Sequence, residues 1–425
     1  MDARLLEAAI VLPLLAILLT ACGASPDPRP NVLVYVLDDA TPSMMTSRLQ
    51  AIAAEGVRFD SSIVESPLCA PARASILSGL HTHNHGVTGN LGGAAGWTAN
   101  GDGRTIADWF AAAGYVTVRA GKWINGVPRN GQSAWSATIH SVRSLGDPGG
   151  INDLTARTVE LVASTSAPML VYFAPTHDWV NPDPKYAGTY AGTPPLRDPN
   201  FNEDDVSDKR WDVQPLLSDV QITLIDFRYR RSLETMESVV DSIQTLRAAF
   251  DGRPLYVVVV SDNGHEDGQH RLASGKGTHF EESIRVPLFI LGPGIAPTVS
   301  SALVSPVDIA PTIAELSGCP VPELDGRSLV PLLAEPSAPW RDRVLLDHGF
   351  RGVRTAQQKL VFKGFLREYY DLATDPWELR NLCAVDDLDC GLDLATFIKP
   401  LLACRGHGCW LAETADAATV AHIPG

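Results

Sequence analysis

The sequence predicts an α/β fold: a large doubly wound, mixed sheet flanked by helices, followed by a smaller C-terminal α+β subdomain. Three observations lead there. The runs Asn31–Leu37 (NVLVYVL) and Leu255–Val260 (LYVVVV) are almost continuously apolar and β-branched, as strands buried on both faces are. Segments of helical period alternate with short apolar runs between them, the βαβ rhythm of a doubly wound sheet. Past about residue 330 this rhythm gives way to short strand-like pieces and a turn-rich tail.

Taken in order, the first strand, Asn31–Leu37, delivers Asp38 and Asp39 at its C-terminal end, the edge at which open α/β sheets bind ligands. Helical periodicity is expected over 105–113, a strand over 115–119, a helix over 152–163 and a strand over 169–174. A long helix spans about 215–250. The second buried strand then ends in Ser261-Asp262-Asn263-Gly264, so two strands each present carboxylate or amide oxygens. Short strands follow at 343–346, 352–355 and 359–362. The division is therefore a main domain over 31–330 and a C-terminal subdomain with a Cys-rich tail over 331–425.

The first 22 residues read as an export signal. Ala8–Leu19 is apolar but shorter than the roughly 20 residues a bilayer span needs. It ends in Leu19-Thr20-Ala21-Cys22, similar to a bacterial lipobox, and a polar, Pro-rich linker covers 23–30. Lipidation at Cys22 is expected, with the membrane touched only through that anchor; a plain cleaved signal is the alternative. A net charge of −15 sets nucleic acid aside as a partner and requires any anion site to be locally basic. Export makes disulfides plausible. Cys383, Cys390, Cys404 and Cys409 could form two, in any of three pairings, and a zinc cluster with His407 is the rival arrangement.

The segment Cys69-Ala70-Pro71-Ala72-Arg73 carries the most chemistry. Pro71 suits the first turn of a helix. Cys69 then sits at the helix N-terminus, where free N–H groups favour anions, and Arg73 follows one turn on. Read alone, this could equally be a structural cysteine. Read alone, Asp38-Asp39 could be a cap and Asp262-Asn263-Gly264 a tight turn. Together they supply hard oxygen ligands suited to Ca²⁺ or Mg²⁺.

CAPAR followed by Ser78-Gly79 resembles the CxPxR signature of the sulfatases, a family with an alkaline-phosphatase-like fold. Further segments match in order: Gly121-Lys122-Trp123, Pro175-Thr176-His177, Ser261–Gly264, Gly268–Leu272, Gly275-Lys276, and Tyr370-Asp371-Leu372 with Asp375-Pro376 and Asn381-Leu382. Phe201–Lys209 (FNEDDVSDK) resembles the N-acetylglucosamine-6-sulfatase and glucosamine 6-O-endosulfatase branch. The resemblance implies an exported hydrolase of sulfate esters, acting on a sulfated carbohydrate. It implies Cys69 oxidised to formylglycine by a formylglycine-generating enzyme. Asp38, Asp39, Asp262, Asn263 and residue 69 would hold Ca²⁺ (or Mg²⁺). A hydroxyl of the hydrated formylglycine would attack sulfur, Arg73, Lys122 and Lys276 would balance charge, and His177 would protonate the leaving alcohol, with Lys122, His177 and Lys276 contacting substrate.

One departure stands out: many sulfatases carry a basic His just after the GK-aromatic segment, where this chain has Asn125. His81, His83, His85, His265, His270 and His279 are candidates for the missing base, most of them expected at the surface or behind the site. The alternation of His81, His83 and His85 also allows a metal site. Two rival functions remain: a phosphate or phosphonate ester hydrolase on the same scaffold, and a non-catalytic, lipid-anchored glycan-binding protein.

Overall fold

The computed structural model describes residues 28–91, 93–100, 103–127, 134–140, 150–176, 182–211, 213–383, 387 and 389–420. The signal-type segment with Cys22, most of the linker, and His177 lie outside them.

Eight strands form the main sheet: β1 (Asn31–Leu37), β2 (Val57–Ser62), β3 (Val116–Gly121), β4 (Ala137–Ile139), β5 (Met169–Ala174), β6 (Leu255–Ser261), β7 (Leu288–Leu291) and β8 (Thr298–Val304), in the order β4-β3-β5-β1-β6-β7-β2-β8. All pairings are parallel except those of β7, which runs against both β6 and β2. The expected mixed, doubly wound sheet is what forms. Alternation along β1 explains the layering, because successive side chains of a strand point to opposite faces. Val32, Val34 and Val36 join one core with residues of the helices Cys69–Ser78, Ile106–Ala112 and Ile309–Ser317. Leu33, Tyr35 and Leu37 join the other with Met236, Val239 and Ile243 of the helix Asp219–Ala249. The strand is apolar at every position after Asn31 because both of its faces are covered.

Several elements appear where the sequence pattern is weak. Strand β2 (VRFDSS) is polar at alternate positions, and β7 is only four residues long. Partial exposure blurs the buried-strand signal of β2, and β7, though fully buried, is too short to show a period.

A second, antiparallel sheet of β9 (Arg343–Asp347), β10 (Arg351–Thr355), β11 (Gln358–Lys363) and β12 (Leu366–Asp371) follows, in the order β12-β11-β10-β9. Val344, Leu346 and Val361 of this sheet, with Phe350 of the turn between β9 and β10, pack with Ile63, Trp211 and Ile284 of the main domain. Cys383 pairs with Cys390 and Cys404 with Cys409, so the tail cysteines form the disulfides and not the zinc cluster. Cys69 and Cys319 are free and buried. No helix among the described residues is long and apolar enough to cross a membrane.

Candidate active site

The site lies at the C-terminal ends of the adjacent parallel strands β1 and β6. Each strand ends in acidic residues at the same level, since Leu37 registers with Ser261. Asp39 adopts φ 62°, a left-handed conformation that costs a non-glycine residue about 1–3 kcal/mol and that the surroundings must over-determine. Its N–H donates to Asp262 Oδ1 at 3.1 Å, and the next N–H, of Ala40, donates to Ser261 Oγ at 2.8 Å. The two strand ends are thereby tied into one acidic cradle. Gly264 is required below it: a Cβ there would lie 1.9 Å from the Glu282 carbonyl oxygen.

Cys69 is the first residue of the helix Cys69–Ser78, whose ten residues are all buried. The Ala70 N–H is taken by Asn90 Oδ1 at 3.0 Å. Arg73, one turn on, is completely buried; its Nε donates to Asp262 Oδ2 at 2.8 Å, its Nη2 lies 3.5 Å from Asp38 Oδ1 and its Nη1 is 3.4 Å from the Tyr172 hydroxyl. Lys122 follows Gly121, at which a Cβ would collide with the Ala174 carbonyl oxygen at 2.1 Å. Beyond this close approach at the paired ends of β3 and β5, the Lys122 N–H donates to the Ala174 carbonyl at 2.7 Å, and its Nζ lies 3.2 Å from Cys69 Sγ and bonds to Asp38 Oδ1. Lys276 comes from the loop after β6; its Nζ is 2.9 Å from Cys69 Sγ and bonded to Asp39 Oδ1.

The structure thus brings together Cys69, Arg73, Lys122, Lys276, Asp38, Asp39, Asp262 and Asn263. Ligand atoms of Asp38, Asp39, Cys69 and Asp262 all lie within 4.8 Å of one another. Asn263 Nδ2 donates to Asp39 Oδ1 at 2.8 Å, while its buried Oδ1 accepts no hydrogen bond from the described residues. Electrostatics reflect the crowding. Burial, then the charges of Asp38 and Asp262, push the Asp39 carboxyl up. Burial would also raise Asp38, but Lys122, Arg73 and Lys276 outweigh it and hold that carboxyl well below the usual range. Burial and the neighbouring Asp262 push the Cys69 thiol up, an environment that disfavours a thiolate nucleophile.

The sulfatase family profile matches residues 30–319, well over half of the chain. The chain belongs to the sulfatase family. A second profile, for the C-terminal region of N-sulphoglucosamine sulphohydrolase, matches residues 268–390. An extracellular sulfatase Sulf-1 homolog of Caenorhabditis elegans is 28% identical over 76% of this sulfatase and 53% of the relative. Human N-acetylglucosamine-6-sulfatase is 31% identical over 76% of the chain and 68% of the human protein. The chain thus spans about half the length of the worm relative. The solved structure of BT4656 in complex with its substrate D-glucosamine-2-N,6-O-disulfate superposes with a TM-score of 0.71 at 22% identity, over 87% of this chain and 97% of that one. The shared architecture is the fold expected from the sequence.

The candidate histidines fall mostly on the second of the two expected placements, behind the site. His81, His85, His270 and His279 are buried. His81 Nδ1 pairs with Glu65 at 2.8 Å, His83 Nε2 with the Cys404 carbonyl at 3.0 Å, and His85 Nε2 with Ser75 Oγ at 3.1 Å. Three histidines with three separate partners account for the alternation as packing. His270 pairs with Glu203 and His279 with Glu368, and His265 lies 3.4 Å from Asp267. The FNEDDVSDK segment is also a structural tie: Glu203 takes His270 and Lys209, and Asp208 accepts the backbone N–H and side-chain amide of Asn381 through its carboxylate and carbonyl oxygens. Sequence reasoning missed Tyr172 and Asn90, and it missed His348, whose Nδ1 lies 3.1 Å from Ser66 Oγ. Tyr172 sits in a strand that was expected; no motif marks the other two.

Proposed function

We propose that this protein is a metal-dependent sulfatase acting on sulfate esters of glucosamine-type sugars, with Cys69 converted to formylglycine. The observation that carries this reading is the meeting of Cys69 Sγ with Lys122 Nζ and Lys276 Nζ, at 3.2 and 2.9 Å, beside three carboxylates. The substrate class is supported by the human N-acetylglucosamine-6-sulfatase relative and by the disulfated glucosamine named as the substrate of BT4656.

The donor set fits a hard divalent cation. Asp38, Asp39 and Asp262 offer carboxylate oxygens, and Asn263 Oδ1 is buried without a hydrogen-bond donor among the described residues. Oxygen ligands favour Ca²⁺ or Mg²⁺ over zinc, and calcium is the assignment, in line with the family and with export. Three carboxylates face three cationic side chains here, so a divalent ion leaves the pocket cationic and attractive to a sulfate monoester. When present, the metal supplies Lewis-acid polarisation and the hydrated formylglycine supplies the nucleophilic hydroxyl.

The remaining work falls to side chains. Lys122 and Lys276 bind sulfate oxygens and offset the charge that develops as the ester bond breaks. Arg73 is sealed from the pocket and acts through Asp262 and Asp38, whose orientation it fixes. His177 is assigned the proton delivered to the leaving alcohol. Export with a lipid anchor at Cys22, maturation by a formylglycine-generating enzyme, and a division into catalytic domain 31–330 and subdomain 331–425 complete the reading.

Two measurements test it. The proteolytic peptide containing Cys69, from protein made in its native host, should carry the formylglycine mass; an unmodified cysteine overturns the mechanism. Purified protein should hydrolyse an aryl sulfate faster than the matching aryl phosphate, and the reverse order would make it a phosphoesterase.

A further inference from the structure

We propose that His348, on the turn between β9 and β10, is a substrate-recognition residue whose Nε2 hydrogen-bonds a hydroxyl of the sugar bearing the sulfate ester. The inference rests on the sulfatase reading above and extends it to the alcohol half of the substrate.

The second sheet approaches the site at this turn. Asp347 N–H donates to the Glu65 carbonyl at 3.0 Å, His348 N–H to the Phe350 carbonyl at 2.9 Å, and Phe350 is buried with Ile63 and Ile284 of the main domain. The turn is therefore clamped to the segment that leads, within a few residues, into Cys69. Holding a side chain by packing and by a hydrogen bond of its own is what fixes a recognition group in place.

The ring of His348 is oriented by its Nδ1 contact with Ser66 Oγ at 3.1 Å. Its other nitrogen points toward the loop that carries Lys276: a Cβ placed on Gly277 would lie 3.4 Å from Nε2 and 3.7 Å from Leu68 Cδ2. Leu68 directly precedes Cys69, and Gly277 directly follows Lys276. The imidazole thus stands between the two segments that deliver the reacting position and its sulfate-binding lysine. Its Nε2 has no hydrogen-bond partner among the described residues, whereas Glu65, Glu203 and Glu368 engage His81, His270 and His279.

Chemistry selects a hydroxyl as the ligand. Burial acts on the His348 ring and favours the neutral imidazole; no carboxylate among the described residues pairs with it. A neutral ring adds nothing to the attraction for sulfate that Lys122 and Lys276 already provide. It can donate to or accept from a sugar hydroxyl, according to which way the Ser66 hydrogen bond runs. A site built to hydrogen-bond a substrate hydroxyl discriminates strongly against substrates that lack it.

The test compares glucosamine 6-sulfate with 4-methylumbelliferyl sulfate, which has no sugar hydroxyl to recognise. His348→Ala should lower kcat/KM on the sugar by about tenfold or more, chiefly through KM, which is the loss of about one good hydrogen bond. Turnover of the aryl sulfate should stay within about threefold. His348→Gln, which places an amide near the Nε2 position, should recover part of the sugar activity. Equal losses on both substrates, or no loss on either, overturn the proposal. If the wild-type protein turns over neither substrate, the sulfatase reading fails instead. Binding of glucosamine 6-sulfate by calorimetry then decides for His348: an affinity unchanged in His348→Ala overturns the inference, and a tenfold weakening sustains it.

Discussion

Arg73 Nε donates to Asp262 Oδ2 at 2.8 Å, and both side chains are completely buried. Their partnership joins the helix of Cys69 to the end of β6. Removing one member of a buried ion pair strands the other charge, at a cost of about 3–5 kcal/mol. Arg73→Ala should therefore lower the denaturant midpoint by that equivalent, even where activity is not assayed. A midpoint unchanged from wild type would show that Asp262 finds another counter-charge.

Lys122 and Lys276 are different, because they face the pocket. Each contacts Cys69 Sγ and one carboxylate, and each keeps partial solvent access. Lys276→Ala should reduce kcat on an aryl sulfate by about 10²–10³-fold, the usual effect of deleting a transition-state charge donor. Its melting temperature should change far less than that of Arg73→Ala. A large thermal loss with little change in kcat would reverse the two roles.

Metal removal should act on stability as well as turnover. With Asp38, Asp39 and Asp262 within 4.8 Å of one another, the emptied cradle holds mutually repelling carboxylates. Chelation should lower the melting temperature, and adding Ca²⁺ at about 100 times its Kd should restore about 2.7 kcal/mol. Differential scanning calorimetry with and without Ca²⁺ measures this directly. Indifference to chelator and to added Ca²⁺ would remove the metal assignment.

How far the sequence foretold this can be judged from particular residues. Strands β1, β5 and β6 were legible because they are buried on both faces over most of their length, so nearly every position is apolar. The acidic ends of β1 and β6 were legible because the metal cradle needs consecutive polar residues where an apolar run stops. β2 and β7 were not legible: one is half exposed and the other too short to show a period. His348 was invisible for another reason. It reaches the site from a turn more than two hundred residues beyond Cys69, through packing of Phe350 against Ile63 and Ile284 that no local pattern encodes. Which histidines lie at the surface and which behind the site was not legible, because solitary polar residues give no periodic signal. Their burial depends on distant acceptors such as Glu65, Glu203 and Glu368.

Glu282 gives a pH prediction. Burial, reinforced by the charge of Glu378, pushes its carboxyl up to about 7 from an ordinary 4.5. The folded state therefore binds a proton that the unfolded state releases. The associated stability is fully present below about pH 4.5 and is lost as pH rises toward 7. Glu282→Gln keeps an acceptor for the Asn200 Nδ2 bond, 2.8 Å in the wild type, but cannot ionise. Its unfolding midpoint should exceed the wild-type value at pH 8 and match it at pH 4.5. An equal shift at both pH values would assign the effect to packing.

The short Cys404–Cys409 loop sits behind the Cys69 helix. The Cys404 carbonyl accepts from Asn84 Nδ2 at 2.9 Å and lies 3.0 Å from His83 Nε2, and Gly406 N–H donates to Asp325 at 2.7 Å. Asp325 in turn accepts from the His81 N–H and from Asn84, so the disulfide loop buttresses the turn that closes the Cys69 helix. Closing a loop this small stabilises by about 2 kcal/mol through the unfolded state. The double variant Cys404→Ser/Cys409→Ser should lose about that amount in chemical denaturation. Reductant should bring the wild type toward the same midpoint, less any contribution from Cys383–Cys390. Hydrogen exchange should rise first over 81–86, the segment that the loop holds. Exchange rising instead over 343–371 would place the loop's support on the second sheet.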